Sequence, residues 1–272
     1  MALIWGSSFL FTELSLRFLP FYGVAFWRTF LGGLAMFALV FLLKLQLPKG
    51  AQWFHLWVAG VLMSAIPFSL FSFAQQSTTS SLAAIIGAAT PMFTLLAILT
   101  IYRTEKVTLI ATSGLLIGLI GVAITLGVWE GFGNNDPLAI AALVLATISY
   151  GIGGPYIRKF VTPMNLSGTS TAAAQVFTSA ITLLPFYLLT GPLTIANPTI
   201  ESLLSIVALG VLGSGFAYRL FHDVIKDAGS TVASTVTFTN PVVATIWGVL
   251  LLSEELHWYE PIGGVVVILG AW

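Results

Sequence analysis

The chain has 272 residues, 57% of them hydrophobic and only 7% charged, with a mean hydropathy of +0.99. Soluble globular proteins carry about 25% charged residues, so this chain has too few to cover a water-facing surface. A net charge of zero argues against a nucleic-acid binder, and the absence of cysteine excludes disulfides and thiolate metal sites.

Ten apolar runs succeed one another at roughly 2–19, 21–43, 53–74, 78–102, 107–127, 137–158, 166–190, 202–222, 228–252 and 257–272. Most run to about 20 residues, the length that crosses a bilayer as a helix, so the expected fold is an all-α membrane protein of ten transmembrane helices. The first run starts at Met1 without a charged leading region, which argues against a cleavable signal peptide. It holds "WGSSF" (Trp5–Phe9), then Glu13 and Arg17, which pair one turn apart. Arg28 lies several residues into the second run, where snorkelling to the headgroups is preferred to attraction of a carboxylate. The third run carries "GVLMS" (Gly60–Ser64), Phe68 and Ser72, and the fourth carries Thr90, Pro91 and a terminal Glu105. Tyr150 and the packing stretch "GIGGP" (Gly151–Pro155) belong to the sixth. The eighth holds "GVLGS" (Gly210–Ser214), Tyr218, Arg219, His222 and Asp223; the ninth holds Asn240, Pro241 and a terminal Glu255. The last run is only about 24 Å of helix at 1.5 Å per residue, so a few terminal residues of the natural chain are expected to be missing.

A shift of 150 residues superposes the two halves: Pro91 falls on Pro241, Glu105 on Glu255, Ser80 on Ser230, Ala83 on Ala233 and Gly114 on Gly264. "GVLMS" falls on "GVLGS", and Trp5-Gly6 matches Tyr150-Gly151 after a small change of offset. The expected organisation is a duplicated five-helix unit, 1–130 and 131–272, with the last helix truncated. Because five is odd, the second copy must enter the membrane from the opposite side. Loop charges agree. One alternate set carries Lys44, Lys49, Arg103, Lys106, Arg158, Lys159 and Lys226; the other carries Glu130, Asp136, Glu201, Glu254, Glu255 and Glu260, with Arg17 its one base. The positive-inside rule puts the first set, and both termini, in the cytoplasm. At matched positions Arg103 and Lys106 become Ser253 and Leu256, as an inversion requires.

Inverted repeats in a membrane point to a transporter. The succession "WGSSF", "FWRTFLGG" (Phe26–Gly33), "TPMFTLLAILTIYRTEKVT" (Thr90–Thr108), "GFAYRLFHDVIKDAGSTVAS" (Gly215–Ser234), "NPVVATIWGVLLLSEE" (Asn240–Glu255) and "GGVVVILGAW" resembles the EamA-type branch of the drug/metabolite transporter superfamily over the whole chain. The resemblance implies an inverted-repeat exporter of small metabolites, often amino acids, seated in the inner (plasma) membrane.

Pro91 and Pro241 fall mid-membrane in equivalent helices and act as candidate hinges. Each frees a carbonyl one turn upstream, at Gly87 and Thr237, for a neighbour, water or ligand to satisfy; static packing is the other reading. Helical spacing sets Ala83, Gly87, Thr90, Thr94 and Ala97 on one face, and Ala233, Thr237, Asn240, Ala244 and Trp247 on another. The expected substrate cavity takes Trp5, Ser8, Phe68, Ser72, Thr90, Tyr150, Tyr218, His222 and Asn240. Its aromatics and amides suit a neutral or zwitterionic solute, the competing reading being an interfacial aromatic belt for Trp5. Arg219, His222 and Asp223 are either an inner gate or a snorkelling flank. Glu105 and Glu255 are expected to accept hydrogen bonds from the start of the next helix. There is no HExxH and no GxxxxGK[ST] loop, so no enzyme, cofactor or metal site is expected. The sequence thus points to a membrane carrier exporting small metabolites, most readily amino acids, with a channel or facilitator, or a membrane-embedded enzyme, as alternatives. Its oligomeric state is not legible.

Overall fold

A computed structural model describes residues 1–105, 108–125, 127–130, 136–190, 198–252 and 257–270. The regular structure among these residues is all helical, with no strand among them. In chain order they form α1 (Ala2–Leu16), α2 (Phe21–Leu42), α3 (Gln52–Ala74), α4 (Ser80–Tyr102), α5 (Leu109–Thr125), α6 (Pro137–Met164), α7 (Gly168–Thr190), α8 (Ile200–Leu252) and α9 (Tyr259–Gly270). Among the described residues six stretches (α2, α3, α4, α6, α7 and α8) are long and apolar enough to cross a membrane.

The helix starts follow ordinary capping chemistry. Thr79, Thr199 and Asp136 accept hydrogen bonds from the backbone N–H of Leu82, Ser202 and Leu138, satisfying donors that a first turn leaves free. Pro137 occupies the first turn of α6, where its missing N–H costs nothing.

Two expected boundaries are corrected. The sixth run continues as helix past Arg158 and Lys159 to Met164, and the eighth and ninth runs join through Lys226 and Asp227. A charged residue ends a bilayer crossing without ending a helix, because the backbone bonds continue into water. The real break within α8 is Gly229, at φ +92° and ψ 168°, a conformation side chains resist. It divides α8 into arms 200–228 and 230–252. Both free ends at the break are held by complementary charge. Arg158 donates to the carbonyls of Ile225 and Lys226, at 2.8 and 2.7 Å. Glu105 accepts the backbone N–H of Ser230 and Thr231, at 2.7 and 3.2 Å, and both their hydroxyls.

The surface is inverted relative to a soluble protein: Leu42, Leu109, Ile110 and Leu189 are exposed, whereas Thr29, Ser64, Ser72 and Gln175 are fully buried. Without a hydrophobic drive between helices in lipid, close packing of small residues must hold the bundle. At Gly60 an added Cβ would meet the Gln175 carbonyl oxygen of α7 at 2.5 Å, and at Gly210 it would meet Leu31 Cβ of α2 at 2.7 Å. α2 packs along α7, α5 along α9, α4 against α6, and α1 against the second arm of α8. These contacts leave a cavity between α1, α2, α3, α4, α6 and both arms of α8.

Candidate functional site

Irregular backbone stands at matched places in the two halves, beside the cavity. "GVLMS" after its glycine, and the whole of "GVLGS", lie in π-helical turns, Val61–Ala65 and Leu209–Phe216, a device that recurs at functional sites because it redirects backbone groups. Here the Met63 carbonyl accepts the Tyr218 hydroxyl, and the Gly213 carbonyl accepts the Trp5 indole N–H at 2.9 Å. Met63 and Gly213 are 150 residues apart in register.

Both prolines sit in the first turn of a new helical segment rather than inside an unbroken one. Pro91 opens Thr90–Ala97 after a turn at Ala88–Ala89, and Pro241 opens Asn240–Leu252 after the 3₁₀ stretch Thr235–Thr239. The carbonyls they free are satisfied by neighbours, one of the three kinds of partner expected for them. The Thr90 hydroxyl donates to Gly87 O at 2.6 Å, and the Asn240 N–H donates to Thr237 O.

The empty space between the walls of the cavity, counted out through its open side, is about 780 Å³. The structure brings Trp5, Ser8, Phe68, Thr90, Tyr150, Tyr218 and Asn240 to its walls. Trp5 packs edge-on against Tyr218 and Phe221, with ring centroids 5.5 and 5.3 Å away, so it belongs to the interior and not to an interfacial belt. Two expected residues are not there. His222 lines a separate pocket of about 270 Å³ with Gly168, Asp223 and Lys226, because it lies about 100° of helix rotation from Phe221. Ser72 is fully buried, likewise one position beyond a wall residue, Phe71.

Arg28 requires a larger correction. It does not snorkel: it is 5% exposed, lines the cavity, stacks on Phe68 with Cζ 3.5 Å from the ring centroid, and donates from Nε to Ser214 Oγ at 3.1 Å. A fixed positive charge therefore stands where only dipoles were expected. The signal for it was present in "RTFLGG": Arg28 and Gly32 are four apart and share the face that packs closely on α8. Gln75 also reaches the cavity, its amide donating to Phe9 O at 3.0 Å. Nothing in its neighbours marked it.

Glu105 caps a helix, but not the next one; it reaches the second arm of α8, 125 residues away. Burial pushes its carboxyl up, and the hydrogen bonds from the Ser230 and Thr231 hydroxyls and N–H groups outweigh this and hold it below the usual carboxylate range. Glu255, with Lys106, Ser253, Glu254 and Leu256, lies outside the described residues. Among the described residues no cluster of His, Asp or Glu could hold a metal ion.

Comparison with known proteins gives this architecture its relatives. A solved crystal structure superposes with a TM-score of 0.76 at 18% identity, covering 99% of this chain and 92% of the other, which shows a shared fold. An "Uncharacterized transporter" of Archaeoglobus fulgidus is 26% identical over 99% of this chain and 93% of its own length. The "Uncharacterized inner membrane transporter YedA" of Escherichia coli is 25% identical over 97% and 85%. The names of these relatives are those of transporters and not of enzymes. The EamA-like transporter family model matches residues 1–127 and 137–272, and the chain belongs to that family.

Proposed function

We propose that the protein is a multi-pass carrier of the inner membrane that exports small organic metabolites, foremost amino acids, by alternating access. In this reading residues 1–130 and 131–272 are inverted five-helix repeats, the two arms of α8 count as separate crossings to give ten, and both termini are cytoplasmic.

The observation that carries the reading is the pairing of cavity residues across the halves. Trp5 answers Tyr150, Phe68 answers Tyr218, Gly87 answers Thr237 and Thr90 answers Asn240. Helix packing supports it too, since the contact of α4 with α6 has its mate in that of the second arm of α8 with α1. A cavity shared by two related halves is the arrangement in which one half rocks against the other around a fixed site.

Counterflow in proteoliposomes tests the proposal. Vesicles preloaded with a mixture of unlabelled amino acids should transiently accumulate at least one labelled amino acid, recovered chemically unchanged. Absence of exchange across all twenty, or recovery of a converted product, would refute it.

A further inference from the structure

We propose that Arg28 and Asn240 are the two ends of a zwitterion-binding site, Arg28 taking the carboxylate and Asn240 Oδ1 the ammonium group of an α-amino acid. This rests on the carrier reading above and narrows its substrate class.

Arg28 has five N–H donors and, among the described residues, spends one, on Ser214. Its electrostatic partners among the described residues are the Phe68 ring face and the phenols of Tyr150 and Tyr218, with no carboxylate. A buried guanidinium without an anion is costly, and the other half of the molecule shows that the fold does not need it. There Gln175 occupies the corresponding place: its amide donates to Ser64 Oγ at 3.4 Å, as Arg28 donates to Ser214, and Ser64 and Ser214 are 150 residues apart. The Gln175 carbonyl faces Gly60 as the Arg28 carbonyl faces Gly210. A neutral amide thus serves the packing on one side, whereas the other side carries a charge turned into the cavity. The Phe68 ring face offsets only part of the cost of that charge, and an anion received by the cavity would offset the rest.

Asn240 breaks the symmetry in the complementary sense. Its counterpart Thr90 spends its hydroxyl on Gly87 O. Asn240 Oδ1 has no hydrogen-bond partner among the described residues, although the residue is 93% buried, 7% of its surface being exposed. An orphaned buried acceptor on a cavity wall is a place for a donor. The cavity is therefore lined by a residue with a donor fork and by one with an unsatisfied acceptor, with Trp5, Phe68, Phe71 and Phe221 for a side chain. A fork of parallel N–H groups matches a carboxylate in shape as well as charge.

The test uses the full chain and three ligands sharing one ring: L-phenylalanine, phenethylamine, which lacks the carboxylate, and 3-phenylpropionate, which lacks the ammonium. Thermal shift of the detergent-solubilised wild-type protein should rank phenylalanine at least about tenfold tighter than either analogue, one charged hydrogen-bonding end being lost in each. Arg28→Gln, which installs the residue that the other half tolerates, should weaken phenylalanine by about 10- to 100-fold and leave phenethylamine unchanged or tighter. Asn240→Ala should weaken phenylalanine and spare phenylpropionate. Equal shifts by phenylalanine and phenethylamine on the wild-type protein would overturn the inference without any mutant, as would a wild-type ranking in Arg28→Gln. If the ranking holds but counterflow of every amino acid fails, the site stands and the carrier reading falls. If counterflow succeeds and the ranking is flat, the reverse applies.

Discussion

Replacing Glu105 by alanine lowers the stability of the detergent-solubilised protein by about 2–3 kcal/mol, the sum of a lost N-cap and a lost favourable charge at a helix N-terminus. The carboxylate is half-buried and holds the backbone N–H and hydroxyl of both Ser230 and Thr231. Without it, those N–H groups at the start of the 230–252 arm lose their acceptor. Glu105→Gln recovers part of the loss, because an amide oxygen still accepts. The pH dependence has a definite sign. The folded carboxyl is held below its usual range, so its contribution is complete at neutral pH and fades as pH falls below the ordinary carboxylate range. The wild-type advantage over Glu105→Gln in thermal unfolding should shrink there, and a constant advantage would show that the charge is not the cause. Gly229→Ala attacks the same clamp from the other side. An added Cβ would lie 3.0 Å from Glu105 Oε2 on a backbone with φ +92°, which costs about 1–3 kcal/mol. Because the two changes share one contact, the double variant should lose less than the sum.

The proline pair predicts a functional effect rather than a structural one. Pro241→Ala introduces an N–H that competes with that of Asn240 for Thr237 O and draws the 235–239 stretch toward α-helix. Pro91→Ala does the same against the Thr90 hydroxyl at Gly87. A restored backbone bond is worth about 1 kcal/mol, enough to bias two access states by roughly fivefold. Transport should fall in each variant while expression and unfolding temperature survive. Because the repeats are inverted in the proposed mechanism, the two biases should be opposite, and the accessibility of a cysteine at Ser8 to reagents from each side reads them. Unimpaired transport in both variants would leave the prolines as packing devices only.

Much of the fold was legible because lipid imposes a coarse code: long apolar runs, few charges and small residues where helices meet. The register of Pro91 with Pro241 was legible for the same reason, since each residue type has few uses at that depth. Direction was harder. An arginine a few residues inside a membrane helix reads as a snorkeller until it is known which face packs, and the packed face of α2 is set by Gly210, a contact far away in sequence. The partner of Glu105 was missed because capping is usually local, whereas this carboxylate crosses from α4 to α8. Positive φ at Gly229 was hidden in "DAGST", where Lys226 and Asp227 suggested a loop and the helix instead runs on to the glycine. His222 and Ser72 failed by one step of helix rotation each, an error that periodicity alone cannot correct without knowing where the cavity is centred.

The inversion of the repeats is the central claim, and sidedness tests it directly. The chain contains no cysteine, so single cysteines can be read one at a time. Thr104→Cys lies just beyond α4, and His257→Cys lies just before α9, at the corresponding end of the second copy. In intact cells an impermeant thiol reagent should label position 257 and spare position 104 until the membrane is opened. Labelling of 104 with protection of 257, or equal labelling of both, would contradict the inverted arrangement.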